Sequence, residues 1–98
     1  MKELPNHCFF QCIKLEEITI PFGITKLGDQ CFYECVRLSR ITIPSSVVEL
    51  GEWCFYNCYN LTSIELPTTI TEFGRCCFYK SGIKKGWKYI KLPKHCWK

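Results

Sequence analysis

Three cysteine pairs with constant spacing carry the chain's most conspicuous chemistry: Cys8 and Cys12 in "CFFQC", Cys31 and Cys35 in "CFYEC", and Cys54 and Cys58 in "CFYNC". A Cys-x-x-x-Cys pair can clip a metal, run a redox couple, or place two small side chains on one face of a turn. A tetrahedral zinc site needs two such pairs to converge from different parts of the chain. The two histidines, His7 and His95, each precede a cysteine, in "LPNHC" and "LPKHC". Side chains adjacent on an extended segment point to opposite faces, so neither histidine is placed to serve its neighbour as a base. The six glycines are single, so no phosphate-cradling loop occurs, and the carboxylates are scattered. These residues predict no catalytic, metal or cofactor site and no enzyme.

The spacing of the pairs is explained by an internal repeat. "HCFFQCIKLEEITIP", "QCFYECVRLSRITIP" and "WCFYNCYNLTSIELP" are successive copies, followed by an altered one, "CCFYKSGIKKGWKYIKLP". Cys8-Phe9, Cys31-Phe32, Cys54-Phe55 and Cys77-Phe78 recur every 23 residues, and Pro21, Pro44 and Pro67 keep the same step. Pro93 comes 26 residues after Pro67, which puts three extra residues in the last copy, around Gly82–Gly86. A fixed period in the low twenties indicates a solenoid in which each copy is one coil. The expected organisation is a single array over residues 1–98, with repeats at about 8–30, 31–53, 54–76 and 77–98, as part of a longer array.

Nine cysteines in a short chain ordinarily suggest a disulfide framework. The lattice points elsewhere. Cys8, Cys31, Cys54 and Cys77 share one repeat position, and Cys12, Cys35 and Cys58 share another that Ser81 continues. Cys76 and Cys96 are left over. Seven thiols thus sit where a small residue must fit between stacked coils, and free cysteine behaves there as a small hydrophobe. Disulfides between coils suit the bridge dihedral poorly, since in-register side chains point the same way. Zinc remains a third reading.

One coil reads as follows. In "LSRITIP", Leu38, Ile41 and Ile43 are apolar while Arg40 and Thr42 alternate with the last two, as in a strand with one buried face. Val47 and Leu50 form a second apolar pair, and Gly51 permits a turn. "GEWCFYNC" then returns through a compact, helix-like turn with Cys54 and Cys58 on one face. Stacking must supply the stability that a lone coil lacks.

Written as C-x-x-L-x-x-I-x-I-P-x-x-V-x-x-L-G-x-x-C-F-x-x-C, the coil resembles the BspA-like class of leucine-rich repeats, whose usual coil carries a small residue, commonly alanine, before the phenylalanine. The resemblance runs from Leu4 to Leu92. It implies an α/β repeat solenoid, right-handed, with a parallel sheet on one face and short turns or short helical segments on the other. The strands would be Leu15–Ile20, Leu38–Ile43, Leu61–Leu66 and Trp87–Leu92. Cysteine replacing alanine and the missing second cysteine of the last copy are departures from the pattern. Members are typically surface or secreted proteins of bacteria and protozoa, with adhesion or host-interaction roles and no catalytic residues.

A solenoid's usual employment is an extended binding surface. By alternation the outward strand residues form two rows: Glu17, Arg40, Ser63 and Tyr89, and Thr19, Thr42, Glu65 and Lys91. They are the expected partner-binding face, set against the plain reading of a solvated sheet. Charge is uneven. Residues 1–79 hold six Lys/Arg against nine Asp/Glu, while residues 80–98 hold seven lysines and no acid. This basic end, with Lys84, Lys85, Lys88 and Lys94 among aromatics, suits an anionic partner or a polar end to the stack; a nucleic-acid platform is the weakest of the three readings. No dedicated N-terminal cap is visible, so self-association through uncapped solenoid ends is a further expectation.

"MKELPNHCFF" has no continuous apolar stretch of the signal-peptide kind, and no run of 18 apolar residues spans a bilayer. The family resemblance points to the cell surface, and nine cysteines read as thiols point to a reducing compartment; both stay open. The expected function is a non-catalytic protein-interaction module of the surface or adhesion type, binding a protein or cell-surface ligand. The alternative is an intracellular scaffold or truncated array whose basic C-terminal end contacts an anionic partner.

Overall fold

The structure, a computed structural model, describes residues 2–62, 64–83 and 92–97. Residues that share a repeat position lie one above another. Strands β1 (Lys2–Leu4), β3 (Ile24–Leu27), β5 (Glu49–Leu50) and β6 (Glu72–Phe73) form a four-stranded parallel sheet in the order β1-β3-β5-β6. Strands β2 (Glu17–Thr19) and β4 (Arg40–Thr42) form a second parallel sheet, prolonged by a bridge between Thr42 and Glu65. Glu17 pairs with Arg40, Ile18 with Ile41 and Thr19 with Thr42, each partner one 23-residue period away.

The strand expected within Leu38–Ile43 is shortened to β4, and its alternation holds: Ile41 and Ile43 are buried while Arg40 and Thr42 are exposed. Within the third expected strand, Leu61–Leu66, the described residues carry a bridge at Glu65, beside buried Ile64, and Ser63 lies outside them. Of the expected strand Trp87–Leu92, residues 87–91 lie outside the described residues. The larger sheet is the main difference from the expected single sheet. Its strands are two to four residues long, and β3 buries Ile24 and Leu27 at a spacing of three. A spacing of three is not the alternation that marks a strand in sequence, so the pairing comes from the stack.

Of the two expected forms, short turn or short helical segment, the Cys-Phe segment takes the first, as a tight double turn. Eight residues take φ of 53° to 63°: His7, Gln30, Trp53 and Cys76 before each Cys-Phe, and Gln11, Glu34, Asn57 and Lys80 four residues later. A left-handed non-glycine residue costs roughly 1–2 kcal/mol. Hydrogen bonds offset that cost. Phe32 N–H donates to Cys54 O in the next coil at 2.9 Å, and Glu34 N–H to Tyr56 O at 2.8 Å. The intervening amides of Tyr33 and Cys35 turn back on their own coil, to Gln30 O and Phe32 O. Alternate amides thus join neighbouring coils and close the turn.

Inside the turn runs a column of rings. Phe9, Phe32, Phe55 and Phe78 stack with centroids 5.2, 5.3 and 5.4 Å apart and planes within 8° of parallel. Trp97 continues it 6.1 Å beyond Phe78. Phe32, Phe55 and Phe78 have no exposed surface. Just before the turn the coils approach too closely for any side chain: a Cβ on Gly51 would lie 2.5 Å from Gly28 C and 2.6 Å from Asp29 N. That contact, more than freedom of backbone angle, requires glycine there.

Two stability outcomes follow. Phe55→Ala removes a ring held between two others and is expected to cost about 3–5 kcal/mol in denaturant unfolding, against under about 1 kcal/mol for Phe10→Ala on the surface. Equal costs would show that the column does not bear the stability. Gly51→Ala forces backbone against backbone and is expected to cost at least about 3 kcal/mol; a variant as stable as the parent would contradict the close approach.

Candidate interaction face

The outward strand residues meet at one place. Glu17, Thr19, Arg40 and Thr42 line a shallow cleft of about 330 Å³ with half-buried Ile18. Strand alternation sends Ile18 and Ile41 towards the core and leaves the four polar side chains outside. Glu65 continues the Thr19–Thr42 row and is exposed. Arg40 Nη1 and Glu17 Oε2 are 3.7 Å apart, but both side chains are more than two-thirds exposed, so the pair adds little stability. Its charges are available to a ligand. Ser63, Tyr89 and Lys91 lie outside the described residues, as do Lys84, Lys85 and Lys88 of the basic end; Lys94 is exposed at the start of a 3-10 turn, Lys94–Cys96.

The turn side displays a surface that the sequence reading passed over. Phe10, Tyr33, Tyr56 and Tyr79 form a second stack outside the phenylalanine column, with successive centroids 4.9, 4.8 and 5.7 Å apart. Trp53 lies across it, edge-on to Tyr56 at 5.1 Å, and the Lys80 ammonium sits 5.6 Å from the Tyr79 ring centre. The signal was present as a second aromatic after every Cys-Phe. Only the first ring of each doublet is needed for the core.

The cysteines are framework here. All nine are free, and Cys31, Cys35, Cys54, Cys58 and Cys77 are fully buried. Cys8 is exposed and Cys12 half-buried, since they sit on the first coil's outer side. The second cysteine of each pair has a definite partner: the Cys35 thiol donates to Phe9 O at 3.1 Å and the Cys58 thiol to Phe32 O at 3.0 Å. Ser81 does not take up this role. Its hydroxyl accepts from Ile83 N–H at 3.2 Å and closes a local turn. The two cysteines expected to fall outside the lattice are also buried. Cys96 occupies a fifth rung, where its carbonyl accepts from Phe78 N–H at 2.9 Å. Among the described residues no group of three or more His, Cys, Asp or Glu side chains is arranged to hold a metal ion.

With this geometry the chain can be set beside known proteins. Residues 1–96 match the BspA type Leucine rich repeat region (6 copies). The chain belongs to that family. It superposes on a leucine-rich repeat protein from Bacteroides ovatus with TM-score 0.82 and 32% identity over 97% of this chain and 24% of that one. A leucine rich cell surface protein from Faecalibacterium prausnitzii is similar at TM-score 0.77 and 30% identity, over 83% of this chain and 21% of the other. The leucine-rich repeat protein of T. pallidum shares the fold at TM-score 0.81 and 24% identity, over 85% and 39% respectively. The chain thus spans about two-fifths or less of each of these structures. No curated protein matches it. Leucine-rich repeats of this kind are generally interaction modules, and among the described residues no helix of this one is long and apolar enough to cross a membrane.

Burial decides the behaviour of the thiols. It pushes Cys31 up to about 12 and Cys35 up to about 11, and it holds Cys54 and Cys58 well above the usual thiol range. A thiol raised by folding contributes stability that is complete below its unfolded value and lost as pH rises through the folded one. The unfolding midpoint should therefore hold steady to about pH 8 and fall between about pH 9 and 12. At about pH 8 an alkylating reagent should modify Cys8 in the folded chain and reach Cys31, Cys35, Cys54 and Cys58 only after unfolding. Rapid modification of those four in the folded chain would refute their structural assignment.

Proposed function

We propose that this solenoid is a non-catalytic binding module of the cell-surface, adhesion type, and that the face carrying Glu17, Thr19, Arg40, Thr42 and Glu65 makes the contact. The cleft carries this reading. Its polar side chains project from paired strands that the core holds rigid, so a partner meets groups already in place. Glu17 and Arg40 supply opposite charges a few ångströms apart, with two threonine hydroxyls beside them. Such a face suits a protein or glycoprotein surface of mixed charge. The similar cell-surface protein of Faecalibacterium prausnitzii supports placing the contact outside the cell. Ser63, Tyr89 and Lys91 would lengthen the same rows, and the basic end, with Lys84, Lys85, Lys88 and Lys94, would add affinity for an anionic partner.

The test uses fluorescently labelled chain and animal epithelial cells, read by flow cytometry. Arg40→Glu combined with Glu65→Lys should reduce cell binding about tenfold or more while leaving the unfolding midpoint unchanged. Undiminished binding by this variant would move the contact elsewhere on the molecule. Absence of binding by the parent would count against the adhesion role itself.

A further inference from the structure

The tyrosine stack on the turn side leaves one ring face open. Both faces of Tyr56 are covered, by Tyr33 at 4.8 Å between centroids and by Tyr79 at 5.7 Å. Trp53 meets Tyr56 at 5.1 Å with the ring planes 74° apart, and Tyr79 at 6.2 Å with the planes 71° apart. With its own faces occupied, Tyr56 can offer Trp53 only an edge. One face of the half-buried indole therefore lies across the tyrosine edges, and the other is turned away from the stack. His7 stands at the same repeat position in the first coil and meets Phe10 in the same way, at 5.2 Å and 68°. The row of His7, Gln30 and Trp53 thus runs alongside the stack.

Polar groups with bonding capacity to spare surround this indole. Among the described residues the Tyr33 and Tyr56 hydroxyls, the Trp53 N–H and the Asn57 amide have no protein partner, and no buried polar side-chain atom is left unpaired. These groups are therefore open at the surface. Gln30 engages His7 through its side-chain oxygen and keeps its amide hydrogens. Backbone bonds to the next coil, from Phe55 N–H to Cys77 O at 2.7 Å and from Asn57 N–H to Tyr79 O at 3.0 Å, hold the whole arrangement in place. Charge is sparse. Glu34 already accepts from Gln11 Nε2 at 2.8 Å, and the Lys80 ammonium lies at the last tyrosine rung. An anionic ligand would gain little here, and an uncharged one would lose nothing.

We propose that the turn face centred on Trp53, with Gln30, Tyr33, Tyr56 and Asn57, binds a neutral, extended glycan whose chain runs across the coils. A pyranose presents C–H groups on its face, which suit the electron-rich face of the indole. Its rim hydroxyls suit phenol, amide and indole N–H groups. Successive rings of the stack are 4.9, 4.8 and 5.7 Å apart, about the length of one sugar in an extended chain, so each rung can meet the next sugar in the same way. The groups are fixed before the ligand arrives, which spares the cost of ordering them. This site shares no residue with the strand face of Glu17 and Arg40 and is independent of the contact made there.

Titration calorimetry of the full chain with linear cello-, manno- and N-acetylchito-oligosaccharides of increasing length tests this. At least one series should bind, more tightly with each added sugar until the chain spans the tyrosine rungs, and then level off. Trp53→Gln places there the residue that the second coil carries at the same left-handed position, so the chain stays folded. It should weaken binding about tenfold or more. Tyr56→Phe keeps the stack, removes one hydroxyl and should weaken binding about fivefold. Arg40→Glu with Glu65→Lys should bind the sugar as the parent does, which separates this face from the strand face. The proposal is overturned if no series binds, if Trp53→Gln binds as tightly as the parent, or if heparin or a proline-rich peptide outcompetes the sugars for the Trp53 face.

Discussion

The structure depends on hydrogen bonding between coils through backbone in a conformation that side chains normally avoid. At each Cys-Phe turn one amide bonds within the coil and the next bonds to the neighbouring coil. A single coil would have to adopt left-handed geometry at two non-glycine residues with half of its turn donors unpaired. Adding the neighbour satisfies those donors and brings ring against ring in the phenylalanine column. Each coil is therefore the template for the next, and the constant 23-residue step is a physical requirement: one residue more or fewer would point the donors of one turn at the wrong acceptors. The end rung, four residues short of that step, shows the consequence. Its turn becomes 3-10, and Trp97 N–H bonds back to Lys94 O within its own turn.

This dependence explains which features the sequence disclosed. The period, the columns and the inward and outward sides of "LSRITIP" were legible because each is stated by residue type at a fixed spacing. The second sheet was not, since two-residue strands such as Glu49–Leu50 have no periodicity of their own. The left-handed geometry of the turn was not legible because Gln30, Trp53 and Glu34 carry no local sign of positive φ. Their conformation is selected by bonds to a coil 23 residues away. The fifth rung was hidden by its 19-residue step. At the candidate face, alternation brought out Glu17, Thr19, Arg40 and Thr42, which share one cleft. The tyrosine stack went unremarked because an aromatic doublet does not say which ring is inside.

The cysteines show how one residue type can serve both packing and hydrogen bonding between coils. Where rungs are regular, the thiol fills a small space, and in the second row it also donates to a carbonyl of the preceding coil that already accepts an amide. An alanine would fill most of that space without the donor. A serine has the donor too, but the Ser81 hydroxyl turns to its own coil, where it accepts from Ile83 N–H. Thiol is weak enough as a donor to stay in an apolar column and long enough to reach across it.

Core and surface are separated by the same periodicity. The inward rows repeat nearly one residue type each: cysteine, phenylalanine, leucine, isoleucine. The outward rows vary more, from Glu17 to Arg40 and from Thr42 to Glu65, with only Thr19 and Thr42 alike. A change in an inward row is felt by the coils on both sides, as at Phe55, whose ring is stacked between those of Phe32 and Phe78. A change in an outward row meets solvent and at most a weak, exposed ion pair. The strand face is thus the part of this solenoid where charge and hydrogen-bonding groups can be rearranged to fit a partner without disturbing the stacking that holds them in place.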